Sequence, residues 1–316
     1  MNKIIDFEII KSLAFEAGFQ DCGAVSSKEF DISSHFDWLE KGYNAEMQYL
    51  NKNIDKRKNP YLLLENAQTI FSFILSYNTQ EFANMHFSQN EESKHLLKFA
   101  SYSYFEDYHK AIKRALYWII SCIQDIYPEF KGIAFVDSSP FSEKMVAREA
   151  GLGWIGKNSI LINKSYGSKI LIGEIITNYS TNYKAQIVDD LCEDCKLCIE
   201  ACPNNAINLN KTINCNLCSS YHNMINKESV PKNINLDGYI YGCDICLNAC
   251  PWNKKPRIFN SKILGLNPNM QKLIDSINNN SDKSIFNKAK KNSAIENIKF
   301  QKLLSNIEKS KEDFLS

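Results

Sequence analysis

Cys192-Glu193-Asp194-Cys195-Lys196-Leu197-Cys198-Ile199-Glu200-Ala201-Cys202-Pro203 is the stretch that decides how this chain is built. Three thiolates at this spacing wrap one face of a [4Fe–4S] cubane, and the fourth cysteine, turned away before proline, serves another cluster. A second run, Cys243-x-x-Cys246-x-x-x-Cys250-Pro251, lacks its leading cysteine because Ile240 holds that place. The exchange rule of two-cluster ferredoxins gives cluster one Cys192, Cys195, Cys198 and Cys250. Cluster two takes Cys202, Cys243, Cys246 and one of Cys215 or Cys218. Zinc prefers paired Cys-x-x-Cys knuckles with four ligands per site; the longer run ending in Cys-Pro is specific to iron–sulfur. Cys22 and Cys122 lie in apolar contexts and read as inert core cysteines.

Outward from the cysteines the texture changes. Residues 1–180 alternate apolar strands and amphipathic helices, which indicates an α/β (α+β) domain. Residues 181–260 form the ferredoxin-like module, and residues 261–316 a short basic helical tail. Ile5, Ile9 and Leu13 predict a helix stopped by Gly18. Thr69–Leu75 reads as a buried strand, Tyr108–Tyr127 as a helix, and Ile133–Val136 as a short strand. Pro140 suits the first turn of a helix running to Glu149. Ser159–Ile162 and Lys169–Thr177 look like two strands joined through Gly167. The tail predicts two or three small helices.

The 316 residues hold 37 basic and 36 acidic side chains, so no global charge points to nucleic acid. From Lys254 onward, however, thirteen basic residues face six acidic ones, which suggests an anionic partner or simply a solvated helical surface. No run reaches the roughly 18 apolar residues of a membrane span, so no membrane role and a cytoplasmic setting are expected. There clustered cysteines mean metal or catalysis rather than disulfides. The upstream domain has no Gly-x-Gly-x-x-Gly after a strand and no P-loop. It is also larger than a simple electron carrier needs.

Asp137 stands at the end of the Ile133–Val136 strand, a usual place for ligands in open α/β sheets. Two readings stand. A partly desolvated carboxyl there would hold a raised pKa and donate a proton; alternatively, Asp137 or Ser139 caps the next helix.

Further residues carry a family resemblance. They are Gly42–Leu50, Arg57, Asp107-Tyr108-His109, Val136–Glu143, Ala150–Ser159 (Ala-Gly-Leu-Gly-Trp-Ile-Gly-Lys-Asn-Ser), Ile240–Cys246 and Cys250-Pro251-Trp252-Asn253. With both cysteine runs, they make the chain resemble epoxyqueuosine reductases over residues 1–306. These are cobalamin-dependent iron–sulfur enzymes of tRNA modification, related to reductive dehalogenases. The resemblance implies reduction of epoxyqueuosine to queuosine at the wobble position of a tRNA anticodon loop. Electrons would pass through two [4Fe–4S] clusters to cobalamin (B12), with Asp137 as proton donor. It also selects Cys218, in its Cys-x-Ser-Tyr setting, as the eighth ligand. Arg57, Asp137, Trp154, Lys157, Asn158, Ser220 and Asp244 become cofactor contacts, and Lys227 a tRNA contact. Trp154, Tyr221 and Trp252 are candidates for stacking a base or, more simply, for core packing. His109 is assigned a structural or substrate-orienting role. A flavodoxin- or ferredoxin-type donor and a monomer are expected. Two departures stand out: Ser103–Glu106 replaces a basic stretch ending in Gly-Arg, and the tail is short. The competing readings are a dehalogenase-like reductase of a small molecule, for which no twin-arginine leader is seen, and a diferredoxin carrier.

Overall fold

Thr69-Ile70-Phe71-Ser72-Phe73-Ile74-Leu75-Ser76 is mostly apolar on both faces, as befits the middle of a covered sheet. The computed structural model describes residues 3–26, 28–87, 97–278 and 282–315. In it this segment is strand β2 (Thr69–Ser76), buried at every position. β1 (Asp21–Ser26) flanks it on one side and β4 (Ile170–Thr177) on the other, with β3 (Gly132–Phe135) at the far edge beside β4. All three pairings are antiparallel. The layer is therefore of the mixed α+β kind. Strand direction is set by partner choice across the sheet, which periodicity along one strand does not encode.

Alternation along the strands gives the sheet two covered faces. Phe71, Phe73, Leu75, Ala134 and Ile175 share a core with α1 (Phe7–Ala17) and α2 (Tyr108–Ile126). Ile70, Ile74 and Ile176 pack with Val146 and Ala147 of α3 (Glu143–Glu149). α1 starts later than its predicted stripe. Ile5 lies in a two-residue strand paired with Thr181, Asp6 caps the helix, and Phe7, Ile10 and Ala14 are its buried face. Gly18 ends the helix at φ +108°, a conformation that favours glycine.

The predicted turn through Gly167 forms, closed by reciprocal Asn163–Gly167 backbone bonds of 2.9 Å. Its flanks do not pair with each other. Leu161–Ile162 pairs with Trp154–Ile155, while β4 joins the main sheet.

α3 lies close to β1. A Cβ on Gly23 would sit 2.3 Å from the Ala150 carbonyl oxygen, a backbone atom just past the helix. Gly23→Ala should therefore destabilise the fold by about 1–3 kcal/mol, the usual cost of overpacking, read as a lower midpoint in denaturant. An unchanged midpoint would mean that α3 is free to shift.

The cysteine-rich segment and the tail join the same body. Tyr239–Tyr241 pairs with Lys98–Phe99, and one hydrophobic core runs from Ile5 to Ile307. The tail helices are Met270–Asn278, Lys283–Lys290 and α4 (Phe300–Leu315). α4 is anchored by Asn306, whose Nδ2 donates to the carbonyls of Asn223 and Ile240 at 2.8 and 2.9 Å. The loop before α4 reaches α2: the Asp107 amide donates to the Asn292 carbonyl at 2.9 Å. Among the described residues no helix is long and apolar enough to cross a membrane.

Candidate active site

Two single-turn helices, Leu197–Glu200 and Ile245–Asn248, carry parts of the cysteine runs and pack together. They gather the thiols into two groups. Cys198 is raised first by burial and then by the charges of Cys192, Cys250 and Cys195. Cys243 is pushed up to about 12 by burial, with Cys218 and Cys202 adding to it. Burial also raises Cys246, and Cys243, Cys218 and Cys198 reinforce the effect. Cys198 thus links the groups, so they are neighbours. The structure brings Cys218 to Cys202, Cys243 and Cys246. Cys215 lies to one side: burial raises its thiol to about 12, Cys218 adds to this, and Lys144 opposes it.

The first group lines a pocket of about 360 Å³ with Lys157, Asn158 and Trp252. Trp154 Nε1 donates to Cys192 Sγ at 3.5 Å. Lys157 Nζ donates to the Glu193 and Cys195 carbonyls at 2.5 and 2.8 Å. Asn158 Nδ2 is buried without a partner among the described residues. Soft thiolates with N–H donors around them suit an iron–sulfur cluster. Trp154, Lys157 and Asn158 therefore stand at this pocket and not at the larger cavity described next. Trp154 is 1% exposed and packs edge-on to Trp252 at 4.9 Å, so the Trp154 ring is not free to stack a base. Asp244 is buried beside the second group and accepts the Ser101 amide at 2.6 Å.

A larger cavity of about 660 Å³ opens on the other side. Cys215, Cys218 and Ser220 form part of its wall, with Arg57, Trp38 and Lys144 around them. Its size and mixed apolar and polar lining suit a large organic cofactor. Lys144 Nζ donates to the Ser159 carbonyl and hydroxyl oxygens, both at 2.7 Å. Burial lowers its ammonium to about 8. Tyr221 is buried on the same wall, and its hydroxyl accepts the Glu46 amide at 3.1 Å.

Asp137 opens on an adjoining cleft of about 370 Å³, which shares Phe141, Ser142 and Lys144 with the large cavity. The capping reading fails. α3 begins at Glu143 with Ser142 as its N-cap, and Ser142 makes no side-chain capping bond. Pro140 lies before the helix rather than in its first turn. Asp137 instead takes a left-handed backbone, φ +50°, which aims its carboxylate at α2. Tyr108 Oη donates to Asp137 Oδ2, and His109 Nε2 stands 3.7 Å from the same oxygen. Asp107 caps α2 and orients His109 through a 2.9 Å contact to Nδ1. Arg57 steadies the loop by donating from Nη1 to the Pro140 carbonyl at 2.6 Å.

The Asp137 side chain is 51% exposed, so the expected desolvation is not found there. It falls on two carboxyls that the sequence reading passed over. Glu143 is driven up to about 9, by burial first and then by the Asp137 charge. Glu174 of β4 is fully buried with neither oxygen bonded among the described residues, and burial raises it well above the ordinary range. A signal for Glu174 was available: a charge within Ile170-Leu171-Ile172-Gly173-Glu174-Ile175-Ile176 is rare in a buried strand.

A family model described as a 4Fe-4S double cluster binding domain matches residues 191–253. Another, described as epoxyqueuosine reductase QueG, DUF1730, matches residues 57–138. A curated epoxyqueuosine reductase of Cyclobacterium marinum is 34% identical over 304 residues, covering 95% of each chain. The chain belongs to the epoxyqueuosine reductase family. A solved epoxyqueuosine reductase from Streptococcus thermophilus superposes with a TM-score of 0.82 at 28% identity, covering 98% of this chain and 81% of that one. A second epoxyqueuosine reductase, solved with an epoxyqueuosine-modified tRNA stem loop, has a TM-score of 0.79 at 22% identity over the same shares. Epoxyqueuosine reductases reduce the epoxide of that tRNA base, and this chain is such an oxidoreductase, with a double [4Fe–4S] module.

Proposed function

We propose that this chain reduces epoxyqueuosine in tRNA with cobalamin seated in the 660 Å³ cavity and Asp137 supplying a proton. The observation that carries the reading is the order of sites. An outer thiol pocket borders a second thiol group, that group forms part of the cavity wall, and the Asp137 cleft shares the cavity's other side. Cys192, Cys195, Cys198 and Cys250 hold one cluster; Cys202, Cys218, Cys243 and Cys246 hold the other. Cobalamin, when bound, supplies the low-potential cobalt chemistry that opens the epoxide. Arg57 and Ser220 line its seat, Asp137 faces the departing oxygen, and Tyr108 holds the Asp137 carboxylate in place. The outer pocket borders exposed residues such as Glu193 and Asp194 and receives electrons from a small flavodoxin- or ferredoxin-type donor in the cytoplasm. The protein acts as a monomer.

The test is anaerobic reconstitution with iron, sulfide and cobalamin, followed by assay on epoxyqueuosine-containing tRNA. The bound cobalamin spectrum should change on reduction, and queuosine should form. A spectrum identical to free cobalamin would remove the cavity assignment.

The tail adds a phosphate-facing surface. Its Asn292–Ile298 loop packs beside the active-site helix α2: Lys110 pairs with Glu296 at 2.9 Å, and Tyr241 Oη donates to the Ala294 carbonyl at 2.7 Å. Lys288 and Lys291 are exposed there, as is Lys227 on its own loop. Lys290 is engaged, donating to the Ile298 carbonyl at 3.2 Å and lying over the Phe286 ring. The double substitution Lys288→Glu and Lys291→Glu should weaken tRNA binding. It should also flatten the log affinity against log salt plot by roughly 0.7–0.9 per lost phosphate contact. Unchanged slope and affinity would mark these lysines as a solvated helix face.

A further inference from the structure

Removing an epoxide oxygen balances as epoxide + two electrons + two protons → alkene + water. Both C–O bonds break, and both protons end on the oxygen. The clusters of the assigned activity bring the electrons one at a time from a one-electron reductant, which leaves the source of the protons. Asp137 Oδ2 accepts from Tyr108 Oη, and His109 Nε2 approaches the same oxygen. The oxygen that accepts the Tyr108 hydroxyl is placed to receive a proton when needed.

Glu143 is arranged in the complementary way. It lines the same cleft as Asp137, and after burial the Asp137 charge is what pushes its carboxyl up. Two carboxyl groups on one cleft repel each other when both are ionised, so one of them tends to keep its proton. Ser139 Oγ lies 3.3 Å from Glu143 Oε1 and 3.2 Å from the Phe141 carbonyl. The third carboxyl, Glu174, approaches from β4 and adds no positive charge. The nearest cations are turned elsewhere: Lys144 to Ser159, and Arg57 to the Pro140 and Lys52 carbonyls. No ion pair to Glu143 or Glu174 occurs among the described residues.

We propose that Glu143 stores the proton that Asp137 delivers, so that the two carboxyl groups act as one acid with its reserve on the half-buried partner and its outlet on the exposed one. This rests on Asp137 being the donor. One proton reaches the oxygen from the pair, and the emptied pair takes the second from solvent through the exposed side of Asp137. Glu143 acts through Asp137, so its role is to position a proton. Burial and the adjacent Asp137 charge keep Glu143 protonated up to about pH 9, which is the form the role needs at neutral pH.

The test uses the reconstituted holoenzyme in single turnovers from the pre-reduced state, across pH. Wild type should lose rate only as pH rises toward about 9. In Glu143→Gln the amide N–H donates to Asp137 and favours its ionised form. The alkaline limb should then move at least about two pH units to acid, with on the order of 10²-fold loss at neutral pH. Glu143→Asp should restore part of the profile. As a readout independent of turnover, infrared difference spectra at pH 8 should contain a protonated-carboxyl band that Glu143→Gln removes. Glu174→Gln, which removes the other buried acid, should leave that band in place. An unshifted pH profile in Glu143→Gln, or a band that survives it, overturns the proposal. A Glu143→Gln chain that does not fold leaves the wild-type infrared titration to decide: absence of any carboxyl band losing its proton near pH 9 overturns it. If Asp137→Asn keeps wild-type turnover, the donor reading itself fails. If Asp137→Asn is inactive and Glu143→Gln is normal, only the storage role falls.

Discussion

Asp137→Asn should fold, keep both clusters, bind cobalamin and tRNA, and reduce the epoxide at least about 100-fold more slowly than wild type. A positioned acid typically supplies ~10²–10⁴-fold in rate, and the asparagine amide keeps the shape but has no proton to give. Stability should change little, because Asp137 caps no helix: α3 begins beyond it at Glu143. Asparagine also tolerates the left-handed backbone at φ +50°. The Tyr108 hydroxyl still finds an oxygen on the amide. The measurement is single-turnover reduction of epoxyqueuosine tRNA by pre-reduced enzyme, alongside iron content and melting temperature. Near-wild-type turnover would remove Asp137 as donor, and a large drop in melting temperature would give it a structural role instead.

Cys218→Ala should lose about half of the bound iron and fall to background activity, whereas Cys215→Ala should keep both clusters. Each [4Fe–4S] cluster needs its four thiolates. Cys218 acts electrostatically on Cys243 and Cys246 in the second group and on the side of the large cavity. Cys215 interacts with Cys218 and Lys144 but not with Cys202, Cys243 or Cys246, and its amide donates to the Tyr43 carbonyl at 2.8 Å. Iron and sulfide analysis with electron paramagnetic resonance of the reduced variants decides between them. Iron lost from the Cys215 variant and kept by the Cys218 variant would reverse the assignment. Since the second group borders the cavity, its loss should abolish turnover even where the first cluster survives.

Much of the architecture was legible because it is written in local pattern. β2 announced itself as an apolar run, and α2 through Ile112, Leu116 and Ile119 at helical spacing. The turn at Gly167 was readable from the glycine, but not the pairing of its flanks, since partner choice depends on what else competes for an edge. The starting point of α1 slipped because Ile5 satisfied the helical stripe equally well while pairing with Thr181. At the site, the resemblance marked Asp137, and position along the chain offered catalysis or capping with equal force. Three-dimensional contacts removed the cap.

The sequence by itself determined the two cysteine runs, and with them a ferredoxin-type module, because cluster ligation demands a fixed local spacing that few other structures share. It determined the family and the presence of an acid after the third strand of the sheet. Only the tertiary structure decided that the thiols divide with Cys218 on the inner group and that Trp154, Lys157 and Asn158 border the outer one. It also set the half-buried Glu143, whose carboxyl is pushed up by burial and the Asp137 charge, on the same cleft as the exposed Asp137. Desolvation and charge coupling depend on distances between segments far apart in the chain. Asp137 and Glu143 share a loop, but Tyr108, Glu174 and the sheet that buries them come from elsewhere, so no local pattern could state which carboxyl would keep its proton.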